Sequence, residues 1–181
     1  MTRTYPESVI VLKERVGIIG DALPEVTRVP RPEDDPFGPS IFRMGVDDAD
    51  LSGLCLPGLY VSRSELSRVR FTASELRLSA FNWNNIVDCD FTRADFRQAE
   101  LRCSRFVRCQ FTGALLQSAD LRGSIFEACS FMDAQLDGAA LQRGGPLRWL
   151  GIARRQESLP LSTHQRAVVR WVDDAPEAPG G

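Results

Sequence analysis

The fold is decided by a stretch at residues 89–98 that reads CDFTRADFRQ, in which a large apolar residue takes the third of every five positions. Stepping by five from Phe91 and Phe96 in both directions reaches only Leu, Val, Ile or Phe between residues 51 and 141. These nineteen repeat centres are Leu51, Leu56, Val61, Leu66, Phe71, Leu76, Phe81, Ile86, Phe91, Phe96, Leu101, Phe106, Phe111, Leu116, Leu121, Phe126, Phe131, Leu136 and Leu141. Two positions before each centre stands Ala, Ser or Cys in fifteen of the nineteen cases, the exceptions being Leu54, Leu59, Val69 and Asn84.

A period of five fits neither an α-helix nor a straight strand. Five helical steps of about 100° rotate the side chain away from any common face. On a strand, an odd step places successive centres on opposite faces. The chain must therefore bend once in every repeat, so that each centre and the small residue before it point inward and the other positions face water.

A second period sets the number of sides. Cys89, Cys109 and Cys129 each stand two residues before a phenylalanine, and they are spaced by twenty residues. Like residues that recur every four repeats predict four sides in each coil. Neighbouring coils then pair as parallel strands about 4.7–4.9 Å apart, which satisfies the backbone hydrogen bonds. Nineteen repeats predict a solenoid of just under five coils, in which each coil contacts only its neighbours.

Four segments carry a resemblance to a known family: ADLSG at 49–53, CDFTR at 89–93, ADFRQ at 94–98 and ADLRG at 119–123. They resemble the motif of the pentapeptide-repeat family. That resemblance implies an all-β fold, a right-handed quadrilateral parallel β-helix, which we expect over residues 41–143 with Val46 as an earlier centre. The motif positions are structural, so the resemblance is specific for fold and much less so for function.

The two flanks differ from the repeats. Residues 1–40 are predicted to form an N-terminal arm and a proline-rich linker, with two short strands at 9–12 and 16–19. This segment is available to cap one end of the coil. Residues 144–181 are predicted to form a C-terminal cap and tail. There Ser162 and Gln165 form a capping-box pattern, which predicts a short helix as far as about Asp174. The candidate contacts of this cap, either within the chain or in a homodimer, are Trp149, Val168, Val169, Trp171 and Val172.

Composition excludes several classes of protein. The chain has 181 residues, a size that suits one domain with short appendages. Its longest apolar runs are only a few residues, too short for a membrane span. A net charge of −2 argues against nonspecific nucleic-acid binding. Five cysteines, an odd number, predict free thiols in a reducing cytoplasm.

Candidate catalytic or metal-binding groups are few. The column of Cys89, Cys109 and Cys129 stacks within disulfide range and has soft ligands, but a small inward slot that accepts Ala, Ser or Cys explains it more simply. Cys55 and Cys103 are expected to point outward. His164, the only histidine, has no carboxylate or cysteine constellation beside it in the sequence. We therefore predict a non-catalytic protein with no metal and no cofactor.

The expected partner is another protein. The best-known members of the family bind DNA gyrase, and their acidic surface is thought to imitate duplex DNA, so the resemblance implies a topoisomerase that is protected from a drug or toxin. Residues 49–143 contain 11 acidic and 11 basic side chains, which argues against such a mimic. The alternative is a rigid scaffold or immunity-type protein with another partner. An apolar patch at outward positions is the candidate partner surface, unless the N-terminal arm covers it: Tyr60, Trp83, Val87, Val107 and Ile125.

Overall fold

The structure is a computed structural model that describes residues 3–16, 39–142 and 159–172. It contains two helices, α1 (Tyr5–Val16) and α2 (Thr163–Val168). Nine strands of three residues precede α2: β1 (Ser40–Phe42), β2 (Gly45–Asp47), β3 (Tyr60–Ser62), β4 (Glu65–Ser67), β5 (Ala80–Asn82), β6 (Asn85–Val87), β7 (Arg105–Val107), β8 (Ile125–Glu127) and β9 (Ala140–Gln142). A tenth, β10 (Arg170–Val172), follows it.

The strands stack as a four-sided coil. Val61 of β3 pairs with Ile41 and Phe81 in parallel, and Phe106 of β7 pairs with Ile86 and Phe126, so partners are always twenty residues apart. We call the side that holds β1, β3, β5 and β9 face A and the side that holds β2, β4, β6, β7 and β8 face B. Faces C and D follow face B along the chain. Within each of them, successive coils are joined by single parallel bridges, such as Asp90↔Gln110 on face C and Asp95↔Leu115 on face D. The predicted parallel β-helix is confirmed.

The repeat centres fill the interior. All nineteen are buried except Phe126, which is half-buried, and Ile41 and Val46 extend the column upward. On face C, the ring centroids of Phe91 and Phe111 are 5.0 Å apart and nearly parallel, as are those of Phe111 and Phe131. Each fully buried centre contributes roughly 1.5–3 kcal/mol before the entropy cost of folding. The small residue before each centre is also buried, as the pattern predicts.

Every corner of the coil has the same backbone conformation. The residue two after each centre, from Arg43 to Gly138, has a positive φ of 52° to 73°. Fifteen of these twenty corner residues are not glycine, although the left-handed region is unfavourable for residues with a Cβ. None of the twenty is buried. Corner side chains are therefore the most outward part of the coil.

The N-terminal end is capped by a helix, so the predicted strand at residues 9–12 is wrong. In α1, Leu12 is completely buried against the core. The hydroxyl of Ser8 accepts a hydrogen bond from the backbone N–H of Cys55 at 2.8 Å, and Arg15 donates to the carbonyl of Asp50. Thus α1 satisfies backbone groups at the open edge of faces C and D. The second predicted strand, at 16–19, extends outside the described residues.

The C-terminal end has a shorter helix than predicted. The capping box of Ser162 and Gln165 is present, but α2 ends at Val168 instead of near Asp174. Arg170–Val172 instead forms β10, whose Trp171 pairs with Leu141 of β9. The unpaired edge of β9 offers ladder bonds that a longer helix would forgo, and Arg170 donates its N–H to the carbonyl of Ala139 at 2.8 Å.

Candidate functional site

The residues of the predicted partner surface lie on two faces and the corner between them. Trp83 occupies the corner between faces A and B and is 65% exposed. Tyr60 is half-buried on face A, where its ring lies 6.3 Å from that of Phe42. Val87 and Ile125 are half-buried on face B. Trp83 is thus the residue of this set that a partner reaches most easily.

Val107 differs from the others because it is only 7% exposed despite its outward position. It pairs in register with Val87 above and Glu127 below. The ion pairs Arg105–Glu127 (2.8 Å) and Arg108–Asp88 (2.6 Å) involve its chain neighbours on both sides. Val107 is therefore covered despite its outward position, and it offers a partner little contact area.

The corner of Trp83 continues upward through two arginines that the sequence reasoning missed. Arg43 and Arg63 occupy the same corner in the two preceding coils, and both are exposed. We call Arg43, Arg63 and Trp83 the arginine–tryptophan corner. The twenty-residue period that relates the cysteines also relates these three residues, so that signal was available in the sequence.

A buried polar ladder stands directly behind this corner. The backbone N–H of Ser64 donates to the side-chain oxygen of Asn84 at 3.0 Å, and the N–H of Asn84 donates to the hydroxyl of Ser104 at 2.9 Å. Ser104 continues to Ser124 at 2.8 Å, and the Asn84 amide nitrogen donates to the carbonyl of Val61. Asn84, an exception among the small residues, is therefore a full member of the ladder. Backbone and ladder together hold the corner in place.

The cysteine column is buried at the next corner, between faces B and C. Cys89, Cys109 and Cys129 are free thiols. Cys109 and Cys129 donate weak hydrogen bonds to the carbonyls of Ile86 and Phe106 at 3.5 and 3.4 Å. A hydrogen bond to Cys109, together with burial, raises the pKa of Cys129. The column therefore joins successive coils as the serine ladder does, since its thiols donate hydrogen bonds to carbonyls of the preceding coil.

Charges on the outer surface alternate in sign and are largely paired. Arg97 and Arg122 each contact the aspartate two residues before them, Asp95 and Asp120, at 2.6 Å. The Arg108 guanidinium holds the pKa of Asp88 below its ordinary value. Such a lattice of exposed ion pairs contributes little stability per pair. It also leaves no broad acidic stripe on the described part of the coil.

The cap residues predicted at the C-terminus lie at the other end of the coil. Val169 is buried, while Val168, Trp171 and Val172 are half-buried. Trp171 packs against the core and donates its indole N–H to the carbonyl of Arg166 at 3.2 Å. Trp149 lies outside the described residues. His164 borders a groove between α2 and the last coil, and the described residues contain no cluster of three metal-ligating side chains.

Within the described residues, no helix is long and apolar enough to cross a membrane. No curated protein sequence matches the chain closely enough to count as a relative.

Several solved structures are similar to this chain, among them the following three. HetL, a pentapeptide repeat protein involved in heterocyst differentiation regulation from the cyanobacterium Nostoc sp. strain PCC 7120, is 21% identical over 57% of this chain and 42% of its own, with a TM-score of 0.45. A pentapeptide repeat protein from the Arabidopsis thaliana thylakoid lumen is 21% identical over 68% and 72%, with a TM-score of 0.42. QnrB1, a plasmid-mediated fluoroquinolone resistance protein, is 14% identical over 75% and 84%, with a TM-score of 0.43.

These similarities do not transfer a function, because all three TM-scores are below 0.5 and the chain spans less than half the length of HetL. The family assignment rests on the repeats themselves. Residues 89–143 match the family model described as pentapeptide repeats, with eight copies. The same period continues upward without a break through the buried centres to Ile41. The chain belongs to the pentapeptide-repeat proteins.

Proposed function

We propose that this protein is a non-catalytic binding scaffold that presents the arginine–tryptophan corner to a protein partner. The single observation that carries the proposal is the exposure of Trp83, a large aromatic side chain on a rigid corner. Its backbone N–H donates to the carbonyl of Arg102 at 3.1 Å, and Asn84 behind it belongs to the buried ladder. Tryptophan and arginine are the residue types that most often dominate the energy of protein interfaces.

The shape of the site supports binding of a macromolecule. Small-molecule sites are typically concave and enclose most of their ligand. The arginine–tryptophan corner is a convex edge, where Arg43, Arg63 and Trp83 all have positive φ and are exposed. An edge of this kind fits into a groove of a larger partner or lies along an extended segment of it.

A topoisomerase is the more specific hypothesis that the family resemblance implies. Against it stands the charge pattern, because a protein that imitates duplex DNA needs a strong negative field. Here Arg68, Arg77 and Arg108 alternate with Asp47, Glu75 and Asp88 in ion pairs. A partner outside the topoisomerases therefore fits this surface better. We propose the cytoplasm as the compartment, since the chain has five free thiols.

The surface is tested with a matched pair of substitutions. Trp83→Ala and Leu78→Ala truncate two side chains on neighbouring corners that are equally exposed, at 65% each. The immobilised wild-type chain identifies a partner in extract of the cells that make the protein. We expect Trp83→Ala to weaken binding of that partner by tenfold or more, as for an interface hot spot. We expect Leu78→Ala to bind like the wild type, and full binding by Trp83→Ala would exclude the corner.

The topoisomerase hypothesis is tested separately with purified gyrase. Supercoiling is measured with and without ciprofloxacin while the protein is titrated to micromolar concentration. Restored supercoiling supports a protective function, and unchanged inhibition rejects it.

The cap contacts can lie within one chain or join two chains in a homodimer. A homodimer through the cap predicts a sedimentation coefficient that rises with protein concentration, and a constant monomer value rejects that dimer.

A further inference from the structure

Most arginines of the coil are neutralised by carboxylates. Within residues 39–142, eight make ion pairs: Arg68, Arg70, Arg77, Arg97, Arg102, Arg105, Arg108 and Arg122. In the same range the guanidinium groups of Arg43, Arg63 and Arg93 have no carboxylate within 4.0 Å. Arg93 stands on a different corner, between faces C and D. The two cations that share a corner are therefore those beside Trp83.

The two arginines are held close to each other and to an aromatic ring. The N–H of Arg43 donates to the carbonyl of Ser62, and that of Arg63 donates to the carbonyl of Asn82, which sets the two residues in consecutive coils. The Arg43 guanidinium carbon lies 5.3 Å from the centre of the Phe42 ring. A cation–π contact of this kind orients the guanidinium without using its N–H donors. Those donors remain available for a carboxylate.

We propose that the arginine–tryptophan corner binds an acidic peptide segment of a protein partner, with carboxylates on Arg43 and Arg63 and an apolar side chain against Trp83. The proposal rests on the scaffold function and names the chemistry of its partner. Guanidinium groups bind carboxylates through paired N–H donors, so unpaired arginines select an acidic ligand. The bare aromatic ring in the next coil adds an apolar contact that a simple anion lacks.

The size of the corner suits a short extended segment. Arg43, Arg63 and Trp83 are separated by two coil steps, about 10 Å along the axis at 4.7–4.9 Å per coil. An extended segment of about three residues covers this distance. Two carboxylates and one apolar residue within a few positions are therefore the expected recognition pattern.

A peptide fits better than a nucleic acid. Nucleic-acid sites need a groove or stripe of many cations. Here the cationic part contains only Arg43 and Arg63, and the outward positions of face A below it carry Glu100 and Asp120. Glu65, two residues after Arg63, makes no ion pair in the described structure and opposes an acidic ligand. Its removal is therefore expected to strengthen binding.

The test uses fluorescence anisotropy of the full chain with three labelled peptides of defined composition. The first alternates glutamate with leucine, the second has glutamine in place of glutamate, and the third has lysine. We expect the glutamate peptide to bind about tenfold more tightly than the glutamine peptide at low salt, and added NaCl to remove most of the difference. Equal binding of the glutamate and glutamine peptides, or preference for the lysine peptide, would overturn the proposal.

Matched variants locate the binding. Arg63→Glu is expected to lose most of the glutamate preference. Arg93→Glu, which reverses an equally unpaired charge on another corner and changes the net charge by the same amount, is expected to keep it. Glu65→Gln is expected to bind the glutamate peptide a few-fold more tightly. Far-UV circular dichroism and thermal unfolding check that each variant keeps the fold. Equal loss in Arg93→Glu would mean that net charge alone causes the effect.

Two further outcomes would assign the corner to another ligand and overturn the proposal. Tighter binding of an oligothymidylate than of the glutamate peptide would indicate nucleic acid. A large gain in affinity on replacing Glu33, Asp34 and Asp35 together by alanine would indicate that this chain supplies its own acidic ligand. If the charge variants have no effect on peptide binding but Trp83→Ala loses the protein partner, the acidic ligand is rejected and the scaffold function stands.

Discussion

At the scale of single residues, two buried serines on consecutive corners differ in one hydrogen bond. The hydroxyl of Ser74 donates to the carbonyl of Leu51 at 2.6 Å, whereas that of Ser79 has no partner within the described structure. Both side chains are buried in slots where alanine stands one coil below, at Ala94 and Ala99.

This difference predicts opposite effects of the same substitution. Ser74→Ala is expected to lower the free energy of unfolding by about 1 kcal/mol, because it removes a satisfied hydrogen bond. Ser79→Ala is expected to be neutral or stabilising by up to about 1 kcal/mol, because it removes a buried hydroxyl without a partner. Urea unfolding measures both. Equal losses in the two variants would contradict this assignment of hydrogen bonds.

The reactivity of Cys55 should depend on pH in a predictable way. Burial and a hydrogen bond to Glu75 raise its pKa to about 11. Because the thiolate is the reactive form, a raised pKa slows labelling near pH 8, and the rate is expected to rise with pH until about 11. Iodoacetamide labelling followed by peptide mass spectrometry measures the rate, and Glu75→Gln is expected to speed labelling at pH 8. Labelling of Cys55 at the rate of an ordinary exposed cysteine would contradict the raised pKa.

At the scale of elements, the C-terminal end of the coil depends on one glutamine. The Gln165 side chain donates to the carbonyls of Phe131 and Ala134 at 2.7 and 2.8 Å and accepts from the N–H of Ser162 at 2.9 Å. It therefore satisfies two carbonyls at the corner between faces C and D of the last coil and the N–H of the residue that caps α2.

Gln165→Ala is expected to lower the free energy of unfolding by roughly 1–3 kcal/mol, because it leaves buried carbonyls without donors. Thr163→Ala, an exposed position in the same helix, is the control and is expected to change stability little. Urea unfolding with hydrogen exchange at β9 and β10 measures the effect. An unchanged midpoint for Gln165→Ala would show that the cap contributes nothing to the stability of the coil.

The regular elements could be predicted from the sequence, whereas the ends could not. Leu and Phe at every fifth position leave one geometric solution, so the coil and its core follow from the pattern. The apolar run at residues 9–12 carries no such constraint, since a short run of this kind suits a strand or a helix equally. Its helical state depends on contacts of Ser8 and Leu12 with the first coil. Likewise, β10 replaces the predicted helical turn because β9 presents an unpaired edge.

The candidate site was likewise predictable from the sequence only in part. The period places Trp83 outward at a corner, and its twenty-residue form places Arg43 and Arg63 beside it. Whether an outward residue is free depends on its neighbours in adjacent coils. Val107 is covered and Trp83 is exposed, although both occupy outward positions. The pairing of arginines with carboxylates also depends on side-chain reach, which a one-dimensional pattern does not encode.

At the scale of the whole molecule, the coil is a stack in which equivalent residues of successive coils contact one another at the corners. The corner between faces A and B carries the ladder of Ser64, Asn84, Ser104 and Ser124, and the next corner carries the cysteine column. The hydrogen bonds of the ladder and of the cysteine column are therefore kept only when equivalent corners of successive coils lie above one another. Among the residues that the structure describes, α1 bonds to the first coil and the C-terminal cap bonds to the last coil, so we expect the interior to tolerate shortening without disturbing either cap.

The central claim is that one coil is twenty residues long and that each residue lies above the residue twenty positions later. Comparing two deletions in thermal unfolding tests this claim most directly. Removing residues 90–109 keeps every remaining residue on its own face, so we expect cooperative unfolding and a strand-rich spectrum. Removing residues 90–99 shifts the lower coils by two faces and separates Asn84 from Ser104, and each buried polar group left unpaired costs about 1–3 kcal/mol. We expect the longer deletion to unfold at the higher temperature. A higher Tm for the shorter deletion would contradict the four-sided coil.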